Sequence, residues 1–148
     1  MIVVDTNVIA YAVIPGTMKG LADEALRRDA SWQAPLLWRS EFRNVLLLHI
    51  RRKEFSIEES EAMMARAGAL LTDAEHHVAT RSVLVLAERS GCTAYDCEFV
   101  ALAERLGVRL VTSDRQILRE FPGVAVSLES FASTGGEGLS TPGRAPRP

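Results

Sequence analysis

The sequence predicts an α/β domain whose sheet is mainly parallel and covered by helices. Three observations carry this reading. Short runs rich in β-branched residues alternate with longer segments of helical character. The runs are apolar throughout, as in strands buried on both faces. The chain has 148 residues, 47% of them hydrophobic, enough for one core and too few for two domains.

The elements follow in order. Residues 1–4 (MIVV) read as a buried strand, and a short helix is expected over 8–12. Residues 17–29 are helical and end in Arg27 and Arg28, whose charges suit the negative end of a helix. Residues 31–34 form a short strand closed by Pro35, and 36–52 a strong helix. Ser56 opens another helix, with Glu58 and Glu59 in its first turn. A helix over 78–89 stops before Gly91, and one over 93–106 is ended by Gly107. Strands are expected over 108–112 (VRLVT) and 124–127, with a turn over 115–119. Residues 133–148 hold four glycines and three prolines and read as a disordered tail, which leaves a domain over 1–132.

Composition excludes several classes. Lys+Arg 17 against Asp+Glu 19 gives a net charge of -2, so nucleic acid cannot be held by overall positive charge. A local basic patch or a bound cation must offset the repulsion. Two cysteines, Cys92 and Cys97, are too few for a secreted disulfide framework. The apolar stretch over 2–18 is broken by Asp5, Asn7, Pro15 and Gly16, short of the roughly 20 residues that span a bilayer. No basic segment precedes it, so it is not a secretory signal, and a reducing, cytoplasmic setting is expected.

Four acids stand out by position. Asp5 follows the strand MIVV, and Asp114 follows VRLVT after one residue. Ligands of open α/β sheets bind at that carboxyl edge, where the strand order reverses. Each also has a plainer reading: Asp5, Thr6 and Asn7 can cap the short helix, and Ser113 or Asp114 the turn after it. Glu41 shares a helix stripe with Leu37, Val45 and Leu48, beside Trp38 and Phe42, which is expected to face the core. A charge buried there needs a cation nearby; at the edge of the stripe it would reach solvent instead. Asp96 lies three and four residues before Phe99 and Val100, and Thr93-x-x-Asp96 has the spacing of a capping box. Capping and a site role are compatible, since both place the carboxylate at a helix N-terminus. Together the four form a set of oxygen ligands that suits a hard cation, Mg²⁺ or Mn²⁺. Such a site serves phosphoryl chemistry, with one cation or with two about 3.5–4 Å apart.

The motifs around these acids resemble those of PIN-domain ribonucleases: Ile2-Val3-Val4-Asp5-Thr6-Asn7-Val8-Ile9, Ser40-Glu41-Phe42-Arg43-Asn44-Val45-Leu46, Thr93-Ala94-Tyr95-Asp96-Cys97-Glu98-Phe99 and Leu110-Val111-Thr112-Ser113-Asp114. Four motifs in register, spanning about residues 1–127, make the resemblance specific, and the compact form is similar to VapC-type toxins of toxin–antitoxin pairs. The resemblance implies a three-layer α/β/α sandwich and a metal-dependent endoribonuclease that leaves a 5′-phosphate and a 3′-hydroxyl. It implies that Asp5, Asp96 and Asp114 bind the metal, that Glu41 completes the site, and that Asn7 and Thr112 orient the acids or the phosphate. It also implies an RNA substrate, a homodimer and a cognate antitoxin. Some relatives carry another acid where Gln116 stands, which leaves a second metal position open.

Other signals are weaker. Arg39, Arg43 and Arg115 are placed in sequence to hold RNA phosphates, or simply form solvated surface. Tyr11, Trp32, Trp38 and Tyr95 are the aromatic residues that can stack on bases, Tyr11 and Tyr95 the better placed. His76-His77 has no third ligand at metal spacing and reads as surface or loop. Two competing functions remain. A non-cleaving RNA- or protein-binding module of the same fold is one. A metal-dependent phosphohydrolase on small esters is the other, disfavoured because Asn7 stands where the haloacid-dehalogenase pattern needs a second aspartate. No GxxxxGK[ST] stretch is present for a P-loop enzyme.

Overall fold

The structure is a computed structural model and describes residues 1–134. Five strands form the sheet: β1 (Ile2–Val4), β2 (Trp32–Pro35), β3 (Glu75–His76), β4 (Leu110–Thr112) and β5 (Ala125–Ser127). Every pairing is parallel, in the order β3-β2-β1-β4-β5. Eight helices accompany them among the described residues: α1 (Thr6–Val13), α2 (Lys19–Arg28), α3 (Trp38–Arg51), α4 (Ile57–Leu70), α5 (Thr80–Glu88), α6 (Ala94–Leu106), α7 (Arg115–Glu120) and α8 (Leu128–Ser133). The helices α5 and α6 pack together, with α6 against β1, β2 and β4; α1 joins α2, α3 and α4 in a second group, which α8 meets through α2. This is the α/β/α sandwich expected. No helix among the described residues is long and apolar enough to cross a membrane.

The central strands are as apolar as their sequence implies: β1 and the Leu110–Thr112 strand are buried throughout. The chain runs outward from β1 through β2 to β3, then crosses to β4 on the other side of β1. The order therefore reverses between β1 and β4, and a crevice opens beyond their carboxyl ends. The ladder continues one residue past β1, where Asp5 N–H donates to Val111 O at 3.0 Å. Asp5 thus enters the crevice straight from the sheet. Helix α6 ends at Gly107, whose φ of 66° is left-handed and suits glycine.

The structure departs from the sequence reading in four places. Strand β3 has two polar residues and no apolar signal; it is pinned to its neighbour by Ala34 N–H on Ala74 O and Leu36 N–H on His76 O. The expected turn over 115–119 is the helix α7, and α8 follows β5 directly, capped by Ser127, which accepts from Ser130 N–H. Ser133 ends α8, one residue past the expected domain boundary, while the rest of the tail from 135 lies outside the described residues. In α3 the buried stripe is Trp38, Phe42 and Leu46, not the stripe of Glu41. Leu48 is 47% exposed, and Glu41 is half-buried at the edge. Burial of the two large aromatic faces decides the rotation of this helix.

One polar cluster ties α3 to the sheet edge. Glu75 Oε1 accepts from Trp38 Nε1 and Arg39 Nε, each at 2.6 Å, and its Oε2 accepts from Arg39 Nη2 at 3.0 Å. The Arg39 guanidinium beside Glu75 lowers that carboxyl below its ordinary value. Glu75→Gln is expected to cost about 1 kcal/mol, since the pair is partly exposed and screened. The check is a denaturant midpoint that falls while the slope stays constant.

Candidate active site

Asp5, Glu41, Asp96 and Asp114 come from four elements and line one pocket of about 540 Å³. Thr6, Asn7, Ser40, Asn44 and Tyr95 line it too.

Asp5 is the N-cap of α1 and only 8% exposed. Its Oδ1 accepts from Thr6 N–H at 2.8 Å. Its Oδ2 accepts from the Thr112 hydroxyl at 2.6 Å and from Asn7 Nδ2 at 3.4 Å. Burial pushes this carboxyl from 3.8 to about 6; the Thr112 and Thr6 bonds oppose the rise, and the Glu41 and Asp96 charges add to it.

Glu41 Oε1 accepts from the Thr6 hydroxyl at 2.8 Å. Its carboxyl is also raised, by burial first, with the Thr6 bond opposing and the charges of Asp96 and Glu98 adding. Asp96 completes the capping box its spacing announced. Its N–H donates to Thr93 Oγ1 at 3.1 Å, and its Oδ2 accepts from Thr93 N–H at 3.2 Å. Asp114 is the N-cap of α7, with Oδ1 accepting from Gln116 N–H at 2.8 Å and Ile117 N–H at 2.9 Å. Capping and pocket lining coincide in three of the four acids.

Thr112 joins two of them. Its hydroxyl donates to Asp5 and accepts from Asp114 N–H at 2.9 Å. Asn7 adds a second link, since its Oδ1 accepts from Ser113 N–H at 3.3 Å. The two supporting residues therefore hold the ends of β1 and β4 in fixed relation.

None of the four acids forms an ion pair among the described residues. Nor do three His, Cys, Asp or Glu side chains there converge tightly enough to hold a metal ion unaided. The pocket is thus a negatively charged, spread-out set of oxygens. Such a set fits Mg²⁺ or Mn²⁺, and Mg²⁺ in particular uses one or two carboxylates, retained waters and the substrate's phosphates, not an all-protein cage.

The basic residues singled out in the sequence lie off this pocket. Arg39 is spent on Glu75 and stacks over the Trp38 ring at 5.1 Å. Arg43 lines an apolar groove between α3 and α4, beside Leu47, Ile50 and Ile57. Arg115 is exposed at the start of α7, next to Asp114 but outside the lining. Of the four aromatic residues, Tyr95 lines the pocket and is 63% exposed; Trp32 and Trp38 are buried, and Tyr11 lines a different hollow beside His49. His76 is not loose surface: it sits in β3 with Nε2 2.7 Å from Gln33 Oε1. Cys92 and Cys97 are buried free thiols, and burial pushes Cys92 up to about 11. Gln116 donates through Nε2 to Gly91 O at 2.6 Å, so it serves the loop before α6.

Sequence reasoning passed over Thr6, Ser40 and Asn44 as site residues. The signal for Asn44 was present, since it lies three residues after Glu41 on the same helix, and Ser40 shares a face with Asn44 four residues on. No comparable spacing links Thr6 to Glu41.

The chain belongs to the PIN domain family, whose model matches residues 2–123. It is 30% identical over 124 residues to Ribonuclease VapC3 of Pyrobaculum aerophilum, covering 82% of this chain and 95% of that protein. The crystal structure of PAE2754 from Pyrobaculum aerophilum shares the fold, with a TM-score of 0.68 at 21% identity over 88% of this chain and 92% of that one.

Proposed function

We propose that this protein is a divalent-cation-dependent endoribonuclease and the toxin of a toxin–antitoxin pair. One observation carries the reading: four carboxylates from four elements line a single pocket at the sheet's switch point, with no cationic side chain among the described residues to pair them. Membership of the PIN family and the likeness to Ribonuclease VapC3 support RNA as the substrate and an antitoxin as the partner. A homodimer is part of the same proposal.

Asp5, Asp96 and Asp114 are the residues to hold Mg²⁺ or Mn²⁺, with Glu41 completing the set. The cation, when bound, supplies neutralisation of the phosphate and activation of water. Thr112 and Asn7 keep Asp5 oriented through the bonds described. The raised Asp5 carboxyl must lose its proton before it can act as a ligand. Tyr95 offers an exposed ring at the pocket's rim. In-line attack by water predicts products with 5′-phosphate and 3′-hydroxyl ends.

The test is incubation of a mixed, structured RNA pool with the purified protein in Mg²⁺, Mn²⁺ or EDTA, beside Asp96→Asn. Cutting that needs a cation, leaves 5′-phosphates and is lost in the variant is expected. A folded, antitoxin-free protein that binds RNA but cuts under no condition would replace this reading with a non-cleaving module.

A further inference from the structure

Thr6 is the first residue of α1 and is 5% exposed. Its hydroxyl is not needed to start that helix. Asp5 performs the capping, through the bond from Thr6 N–H to Asp5 Oδ1 at 2.8 Å. Nor is threonine chosen for helix propensity, where it ranks below alanine. The hydroxyl instead reaches across 35 residues of sequence and donates to Glu41 Oε1 at 2.8 Å. One residue therefore contacts two carboxylates that come from different elements and repel each other. It does so with its main-chain N–H on one and its side-chain O–H on the other. The threonine side chain is restricted at χ1, so its hydroxyl ties Glu41 to the buried Asp5 through one short residue. Glu41 stands at the edge of the α3 stripe, and this is the one protein hydrogen bond to its carboxylate among the described residues.

We propose that Thr6 is a positioning residue that sets Glu41 against Asp5 in the geometry a divalent cation requires. This rests on the reading of the acidic pocket as the cation site of a nuclease. Partners that orient ligating carboxylates contribute about 10–100-fold to metal affinity, and Thr6 acts in that manner on two acids at once.

The test compares wild type, Thr6→Val and Thr6→Ser in two assays: Mn²⁺ binding by calorimetry without RNA, and RNA cleavage against Mg²⁺ concentration. Thr6→Val keeps the shape and removes the hydroxyl, and Thr6→Ser returns it. Thr6→Val is expected to bind Mn²⁺ about 10-fold more weakly and to need about 10-fold more Mg²⁺ for half-maximal cleavage. Its rate at saturating Mg²⁺ should fall less, and Thr6→Ser should recover most of the affinity. A thermal melt of each variant establishes that it is folded. Wild-type Mn²⁺ affinity and Mg²⁺ dependence in folded Thr6→Val overturns the proposal, as does a loss that Thr6→Ser does not reverse. A wild-type protein that neither binds Mn²⁺ nor cuts RNA overturns the parent reading, and this one with it.

Discussion

Asp5→Asn is expected to reduce RNA cleavage on the order of 10³-fold and at the same time to make the protein more stable at neutral pH. The first effect follows from the loss of a proposed cation ligand, the second from burial. Burial raises the Asp5 carboxyl from 3.8 to about 6, so the folded protein holds that proton more tightly than the unfolded chain. The stability linked to a raised carboxyl is complete below the unfolded value and is lost as pH rises through the folded one. Above about pH 6 the fold therefore carries a buried, unpaired charge at a cost of about 3 kcal/mol, at 1.36 kcal/mol for each unit. Asparagine removes the charge but disturbs the bond from Thr112, so a net gain of about 1–2 kcal/mol is expected. That corresponds to a rise in Tm of roughly 2–4 °C for each kcal/mol in a chain of this size. Thermal melts across pH check the sign: the advantage of Asp5→Asn should be present at pH 7.5, shrink as pH falls below about 6 and be gone below 3.8. Mg²⁺ should stabilise wild type and leave the variant unchanged. At limiting Mg²⁺, wild-type cleavage should fall with pH as the Asp5 proton competes with the cation, and added Mg²⁺ should move that fall to lower pH.

Thr112→Val is expected to cut cleavage at pH 7 by about 10–100-fold and to move the acid limb of the pH–rate profile to higher pH. Thr112 is fully buried in the strand beside β1, where valine fits equally well and favours the strand. The substitution therefore leaves the sheet and deletes a hydroxyl. Asp5 Oδ2 loses its 2.6 Å donor, and Asp114 N–H loses its acceptor at 2.9 Å. The Thr112 bond is the largest influence holding the Asp5 carboxyl down, so its removal raises that carboxyl further. The part-buried Asp114 N–H left without its acceptor costs about 1 kcal/mol, which a melt will show. Thr112→Ser should restore the profile. A Val variant with the wild-type acid limb would break the proposed link between β4 and Asp5.

The site was legible in the sequence wherever a local rule placed it. Asp5 and Asp114 could be read because each lies just past the carboxyl end of a buried strand, Asp5 directly and Asp114 after one residue, and the switch point of the sheet lies there. Asp96 could be read because Thr93 announces a capping box at fixed spacing, and that box forms. Glu41 lines the same pocket as the other three acids, but its stripe was not legible: two stripes of α3 are apolar, and the choice between them depends on what Trp38 and Phe42 pack against. Contacts distant in sequence were not legible. Arg39 has its partner 36 residues away on a two-residue strand whose polar residues carry no periodic signal. The same limit hid the Thr6 bond to Glu41. Both arise only when α1, α3 and the sheet edge come together.

The central claim is that Asp5, Glu41, Asp96 and Asp114 act as one cation-dependent RNA-cutting site. The most direct measurement is the single-turnover cleavage rate, in saturating Mg²⁺, of four folded variants: Asp5→Asn, Glu41→Gln, Asp96→Asn and Asp114→Asn. All four are expected to fall by at least about 100-fold, while Arg43→Ala, which lies off the pocket, retains its cut sites. Near wild-type cleavage in any two of the acid variants, in protein shown free of contaminating nuclease, would contradict the assignment of the pocket as the active site.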